Sequence, residues 1–211
     1  MQDIEVEVRG SLDQEGYKRL DTFFSVNGVF QKTKNRLLID YSTFLPNEGV
    51  RERTRDIRLR MTNGKPEIVV KIGAWGGTEQ RRELSVLTEE GSFDTLVEIF
   101  GVLGFRKGAM CVRNSRVYDY RGVEFALVEV PGHSYYFEAE KMVSQDEDRE
   151  VATMEIRSLC QELGLELFTQ EAFFSYIERL NKESNKIFDI AEYHEGDFKR
   201  RFASGAVGQD M

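Results

Sequence analysis

Histidine is nearly absent from this 211-residue chain: His133 and His194 are the only two, too few for a His-rich zinc site. Cysteine is equally scarce. Cys111 and Cys160 lie far apart and show no CxxC spacing, so a soluble, reduced, cytoplasmic protein is the expectation. No apolar run reaches 18 residues, which excludes a readable membrane span. The chain opens on a strand pattern with no basic-then-apolar leader, so no signal peptide is expected. Only three prolines occur, with no linker and no low-complexity block, so no boundary divides the folded part. Residues 1–183 read as one domain and 184–211 as a C-terminal extension, partly disordered from Gly205 to Met211. The formal net charge of −8 argues against broad nucleic-acid binding. Neither a Ser/His/Asp nor a Cys/His ordering is present, which disfavours nucleophilic catalysis.

What the chain does have is charge on alternate strand positions. In Ile4-Glu5-Val6-Glu7-Val8-Arg9 the apolar side chains fall on one face and the charged ones on the other, the period-two signature of a strand. A helix starts near Ser11 or Asp13 and ends at Asn27-Gly28. A second strand is expected over Arg36 to Thr43, a third over Arg55 to Thr62, then Asn63-Gly64 as a tight hairpin and a fourth strand to Ile72. The glycine cluster Gly73 to Gly77 lacks a phosphate-loop pattern and leads into a fifth strand through Arg81, Arg82 and Glu83. Ser92 is the expected cap of a second helix. Three more strands cover Ala109 to Tyr120, Val123 to Val130 and Tyr135 to Val143. A helix from about Asp146 to Leu163 follows, with Val151, Met154, Leu159 and Leu163 as core candidates. A last helix after Thr169 carries Phe173, Tyr176, Ile177 and Leu180 as one stripe for packing against the sheet.

Eight hairpin-linked strands imply an antiparallel sheet, and eight can close into a barrel with helices outside, an α+β fold. An open sheet with its charged face in water is the plainer alternative. Two features favour a closed tunnel with its charges inward. The charged faces are mostly Arg, Lys and Glu, and Glu-x-Glu occurs on both the first and the eighth strands. Ions in a lumen must be wet, mutually paired or filled with ligand, because an unpaired ion in a dry interior costs several kcal/mol.

Glu5-x-Glu7-x-Arg9 resembles the ExExK signature of the CYTH superfamily, the triphosphate tunnel metalloenzymes, with Arg where that signature usually has Lys. The group includes class IV adenylate cyclases, thiamine triphosphatases and inorganic triphosphatases. The similarity runs in order through Arg58-x-Arg60, Lys71, Arg81-Arg82-Glu83, Arg113 to Arg116 and Phe137-Glu138-Ala139-Glu140. Glu129 stands where the family has an Asp on the seventh strand; a register moved by one residue puts Val128 there instead.

Carboxylates at i and i+2 on one strand face sit roughly 7 Å apart at Cα, from which side chains can converge on a hard cation. Oxygen-only ligands suit Mg²⁺ or Mn²⁺. Glu5, Glu7, Glu138 and Glu140 are therefore the candidate metal residues, as the resemblance also implies. Arg9, Arg58, Arg60, Lys71, Arg81 and Arg113 are the candidates for phosphate oxygens, with Arg116 as substitute because it has the opposite parity to Arg113. Glu83 or Glu129 would orient a water or help bind a second metal. The expected activity is metal-dependent hydrolysis of inorganic triphosphate, a nucleoside triphosphate or thiamine triphosphate. The alternatives are a cyclase making cyclic AMP and a polyphosphate- or nucleotide-binding module without turnover. The expected partner is thus a small triphosphate, with no nucleic acid and no membrane; a homodimer is left open.

Overall fold

In the computed structural model, residues 4–46, 48–76, 78–144 and 148–198 are described, with side chains for all of these except 78–80. Among the described residues the alternation in the sequence becomes nine strands: β1 (Ile4–Leu12), β2 (Val29–Asp40), β3 (Arg55–Thr62), β4 (Lys65–Ile72), β5 (Thr78–Leu87), β6 (Lys107–Tyr120), β7 (Val123–Val130), β8 (Ser134–Val143) and β9 (Lys186–Asp189). Four helices accompany them: α1 (Gln14–Asn27), α2 (Phe93–Val102), α3 (Asp148–Glu162) and α4 (Gln170–Glu183). The first eight strands close into an antiparallel barrel in the order β2-β3-β4-β5-β1-β8-β7-β6, and β2 pairs with β6 to shut it. β9, within the C-terminal extension, adds to β6 outside the closed ring. No helix among the described residues is long and apolar enough to cross a membrane.

The barrel is inverted relative to most small ones. Val6 and Val8 of β1 point outward and are fully buried beneath α1 and α3, in a cluster with Phe24, Phe125, Phe137 and Ile156. On the opposite arc Leu37, Ile39 and Leu59 pack beneath Phe93, Val97 and Phe100 of α2. The hydrophobic core is therefore a shell around the barrel, and the charged faces are left to the lumen. Two tight turns depend on left-handed backbone: Asn63-Gly64 (φ 51° and 82°) between β3 and β4, and Arg121-Gly122 (φ 54° and 77°) between β6 and β7.

Several local expectations shift. β2 begins at Val29, seven residues before Arg36, because its first half is an exposed strand held by β6 and lacks an apolar alternation. Asp13 caps α1 by accepting from the Gly16 N–H at 2.6 Å, but Ser92 makes no such bond to α2 and its hydroxyl donates to the Glu89 carbonyl. In α3 the buried stripe is Ala152, Ile156, Leu159 and Cys160; of the expected core residues Leu159 is buried and Leu163 packs against the same cluster, while Val151 and Met154 face outward. The tail from Gly205 lies outside the described residues, as do residues 145–147.

β1 carries its one glycine where the connection to α4 crosses it. Phe168 N–H donates to the Arg9 carbonyl at 2.8 Å. A Cβ on Gly10 would lie 2.0 Å from the Glu166 carbonyl oxygen and 2.5 Å from the Phe137 ring. Gly10→Ala is expected to destabilise the protein by about 1–3 kcal/mol. A chemical-denaturation midpoint equal to that of the unsubstituted protein would show that the crossing gives way freely.

Candidate functional site

The inward side chains of six strands line a cavity of about 420 Å³, among them Glu5, Glu7 and Arg9 of β1, Arg58 and Arg60 of β3, Lys71 of β4, Glu83 of β5, and Glu138 and Glu140 of β8. Register brings the acids together. Glu7 lies opposite Glu140, and Arg9 opposite Glu138, across the β1–β8 ladder. Carboxylate oxygens of Glu5, Glu7 and Glu140 all come within 4.8 Å of one another, a donor set that would suit a hard divalent cation.

The cations around them are held by ion pairs. Lys71 Nζ sits 2.5 Å from Glu5 and 3.0 Å from Glu83. Arg9 bridges Glu7 at 2.5 Å and Glu138 at 3.1 Å. Arg60 reaches Glu67 at 2.7 Å and Glu83 at 3.5 Å. This unequal sharing splits the carboxyls. Burial pushes Glu140 up to about 8, with the Glu5 and Glu138 charges adding to it. Burial likewise lifts Glu7 well above the carboxylate range, since the Arg9 charge offsets it only partly and is shared with Glu138. Burial opposes the charge on Glu138 too, but Arg9 and Arg36 outweigh it and bring that carboxyl down to about 2. Lys71 likewise outweighs burial to lower Glu5 and, with Arg60, to lower Glu83. Two of three clustered acids thus favour a proton, as crowded carboxylates do when no cation lies among them.

A second cavity of about 110 Å³ continues the first, sharing Arg9, Arg36, Arg58 and Glu138 in its walls. It ends against α4, whose Phe173, Tyr176 and Leu180 line it together with Trp75, Tyr136 and Arg113. The α4 stripe therefore closes over an end of the barrel instead of lying on the outer sheet face. Arg51 ties the helix down through Glu171 at 2.7 Å and Glu178 at 3.1 Å.

Not every expected residue reaches these cavities. Asn114 pairs with Glu129 in the β6–β7 register and Ser115 with Val128, so Val128 faces the lumen and Glu129 the outside, near Tyr17 of α1. Arg116 also points out: its guanidinium lies 2.8 Å from Asp21 and over the Phe30 ring. Arg81 has the inward parity but is only 1 % exposed and borders neither cavity, because it is locked onto Asp56 at 2.5 Å. Arg113, of the parity opposite to Arg116, does line the second cavity. Glu138 enters the lumen as the partner of Arg9 and lies outside the Glu5, Glu7, Glu140 group.

Three residues went unremarked in the sequence. Lys34 and Arg36 line the lumen from the middle of β2. Asp56, fully buried, receives Arg53 at 2.7 Å, Arg58 at 2.6 Å and Arg81 at 2.5 Å, and those charges overcome burial to hold its carboxyl far below the usual range. Its parity with Arg58 and Arg60 was the available signal.

No protein-family profile matches the sequence, and no curated protein matches it significantly. Solved structures do match. The PH1819 protein of Pyrococcus horikoshii superposes with a TM-score of 0.69 at 24% identity, covering 85% of this chain and 99% of its own. A candidate adenylate cyclase of Vibrio parahaemolyticus gives 0.58 at 14% identity, covering 83% and 99%. A candidate adenylyl cyclase of Hippeastrum with a dominant triphosphatase activity gives 0.52 at 16% identity, covering 82% and 95%. At these identities the likeness is one of fold, that of the closed eight-stranded antiparallel barrel with helices outside.

Proposed function

We propose that the protein hydrolyses a triphosphate in its tunnel, with a divalent cation held by Glu5, Glu7 and Glu140. The observation that carries this is the convergence of three carboxylates in the same cavity as Arg58, Arg60 and Lys71. The donor set fits Mg²⁺ or Mn²⁺: it is all oxygen, and a cation among those acids would replace the protons that Glu7 and Glu140 otherwise favour. Bound there, the ion would neutralise phosphate charge and hold phosphate oxygens in place.

The chain's own residues do the rest. Phosphoryl transfer calls mainly for positioning and charge stabilisation. Arg58 and Arg60 offer planar forks to phosphate oxygens, and Lys71 offers a compact charge. Each is now neutralised by a carboxylate, so an entering phosphate exchanges one anion for another without creating a bare cation. Glu83, ionised between Lys71 and Arg60, can accept a hydrogen bond from water at its free lone pairs and orient it for in-line attack. The test is a panel of inorganic triphosphate, nucleoside triphosphates and thiamine triphosphate with Mg²⁺ or Mn²⁺, reading phosphate, pyrophosphate and cyclic AMP separately. Phosphate release supports hydrolysis, cyclic AMP would replace it by cyclisation, and binding without products would leave a binding module.

A pH dependence follows. The Glu140 carboxyl is raised above its unfolded-state value of 4.5 to about 8. In the metal-free protein its contribution to stability is therefore fully present below about pH 4.5 and lost as pH rises through about 8. Cation binding must displace that proton, and the one Glu7 favours, so Mn²⁺ affinity is expected to rise by about tenfold per pH unit or more below about 8. Calorimetric titration with Mn²⁺ from about pH 6 to 9 checks this; a flat affinity would remove Glu140 from the ligand set.

A further inference from the structure

The turn between β7 and β8 holds a run of hydrogen bonds that the proposed reaction does not use. His133 Nδ1 lies 2.7 Å from Ser134 Oγ, and Ser134 Oγ lies 2.9 Å from the Tyr176 hydroxyl of α4. The other ring nitrogen, Nε2, lies 3.1 Å from a carboxylate oxygen of Glu183, the last residue of that helix. The run crosses the wall of the barrel. Glu183 is half exposed and the His133 side chain 15 % exposed, whereas Tyr176 is buried and lines the cavity that ends against α4. Ser134 borders neither tunnel cavity, so the set is no nucleophilic triad: its serine has no substrate to attack.

Counting donors and acceptors leaves two arrangements of the hydrogens. The Glu183 carboxylate only accepts, so Nε2 carries a hydrogen whether the ring is neutral or charged. With a neutral imidazole, Nδ1 accepts from Ser134, and the Ser134 oxygen accepts from Tyr176. The phenol then offers a lone pair to the cavity. With an imidazolium, Nδ1–H donates to Ser134 and Ser134 donates to Tyr176. The phenol then offers its O–H. Among the described residues Ser134 is the only hydrogen-bond partner of the Tyr176 hydroxyl. Burial lifts that phenol above its usual range, so it stays a hydroxyl in both arrangements.

Resting, for its ligand, on the assignment of the tunnel to a triphosphate, we infer that Glu183, His133, Ser134 and Tyr176 form a relay in which protonation of His133 at the surface turns the Tyr176 hydroxyl from an acceptor into a donor at the closed end of the bore. An anionic oxygen there favours the donor form. Binding the anion therefore draws a proton onto His133, and a protonated His133 strengthens binding by the same factor. The charged groups around the relay are Glu183 and Arg179 of α4, the latter 5.5 Å over the Tyr176 ring. Arg113 of β6 and Glu138 of β8 act on the phenol from the cavity side. The turn itself, residues 131–135, brings no further charge than that of His133.

Histidine NMR tests this without turnover, because His133 and His194 are the only two histidines and His194 serves as the control. In the ¹⁵N-labelled protein without ligand, the neutral His133 ring is expected in its Nε2–H form. Nitrogen-bridged triphosphate, added with Mg²⁺, is expected to raise the His133 titration midpoint by about 0.5–2 pH units and to leave His194 in place. Tyr176→Phe keeps the ring and every charge but breaks the run. It is expected to cut the ligand-induced rise to about a third or less. Without ligand it should lower the midpoint by about 0.3–1 pH unit, since Ser134 then lacks an acceptor in the charged state. A rise that survives in full in Tyr176→Phe is attraction through space and overturns the inference. A neutral His133 in the Nδ1–H form overturns it as well, and that measurement uses the unsubstituted protein alone. If the triphosphate leaves the whole spectrum unchanged, the assignment of the tunnel falls, while the ring form and the variant's midpoint without ligand still decide the relay. Binding with an unmoved His133 midpoint removes the relay and leaves the proposed hydrolysis standing.

Discussion

Replacing Glu7 by glutamine is expected to cut metal-stimulated phosphate release by about 10²- to 10³-fold, the range seen when one group that stabilises developing charge is removed. Stability should hardly change, and the two effects separate for a structural reason. In the metal-free protein the Glu7 carboxyl already favours its neutral form, and a glutamine amide matches that form in shape. Its oxygen can still accept from Arg9, which also keeps its bond to Glu138 at 3.1 Å. The charge that is lost matters only when a cation lies among Glu5, Glu7 and Glu140. Initial rates across a Mg²⁺ series, set beside melting curves with and without the ion, give the measurement. The variant should melt like the original protein without Mg²⁺ and gain less on adding it. Undiminished turnover at saturating Mg²⁺ in Glu7→Gln would take that residue out of the site.

The second large effect concerns stability. Asp56→Asn removes the one carboxylate on which Arg53, Arg58 and Arg81 converge in a fully buried position. Arg53 keeps Asp40 at 2.7 Å, but Arg81 loses its anchor inside the wall. Breaking a buried ion cluster from one side costs about 3–5 kcal/mol, because the opposite charges stay behind uncompensated. For a chain of 211 residues that lowers the melting temperature by roughly 6–20 °C. The pH sign is opposite to that of Glu140. Asp56 has its carboxyl depressed below the ordinary 3.8, so its stabilisation is present above that value and disappears as pH falls through the lower, folded-state one. The Asn variant should therefore lose part of the acid sensitivity below about pH 4, seen by comparing melts across that range. An Asp56→Asn protein within about 1 kcal/mol of the original would mean that water reaches the three guanidiniums.

Local periodicity carried much of the fold. The alternation in β1, β3 and β8 was enough to expect eight antiparallel strands with charge facing inward, and the closed barrel has that form. The hairpin pairing at Asn63-Gly64 was legible, the long-range partners were not. Glu7 does meet Glu140, yet β1 enters between β5 and β8, and the ring closes through β2 and β6 instead of in chain order. Nothing in a strand's own period names its neighbour. The misplacement of Glu129 has the same origin: a shift of one residue exchanges the faces, and the partner Asn114 that sets them lies on another strand. Lys34 was hidden because β2 is exposed over its first residues and shows no apolar beat there, and Arg36 stood only as the first residue of the expected strand. Arg81 illustrates a third limit. Parity tells which way a side chain points, but not that Arg53, arriving from the loop before β3, and Asp56 bury its end.

Because apolar side chains form a jacket and charged ones fill the bore, adjacent letters of a strand answer to different selective demands. In β1, exchanging Val6 or Val8 disturbs the seating of α1 and α3, while exchanging Glu5 or Glu7 rewrites the lumen and leaves the jacket closed. Such a barrel can acquire new chemistry by changing every second position, within the limit set by the ion cluster around Asp56, whose inward residues must vary together.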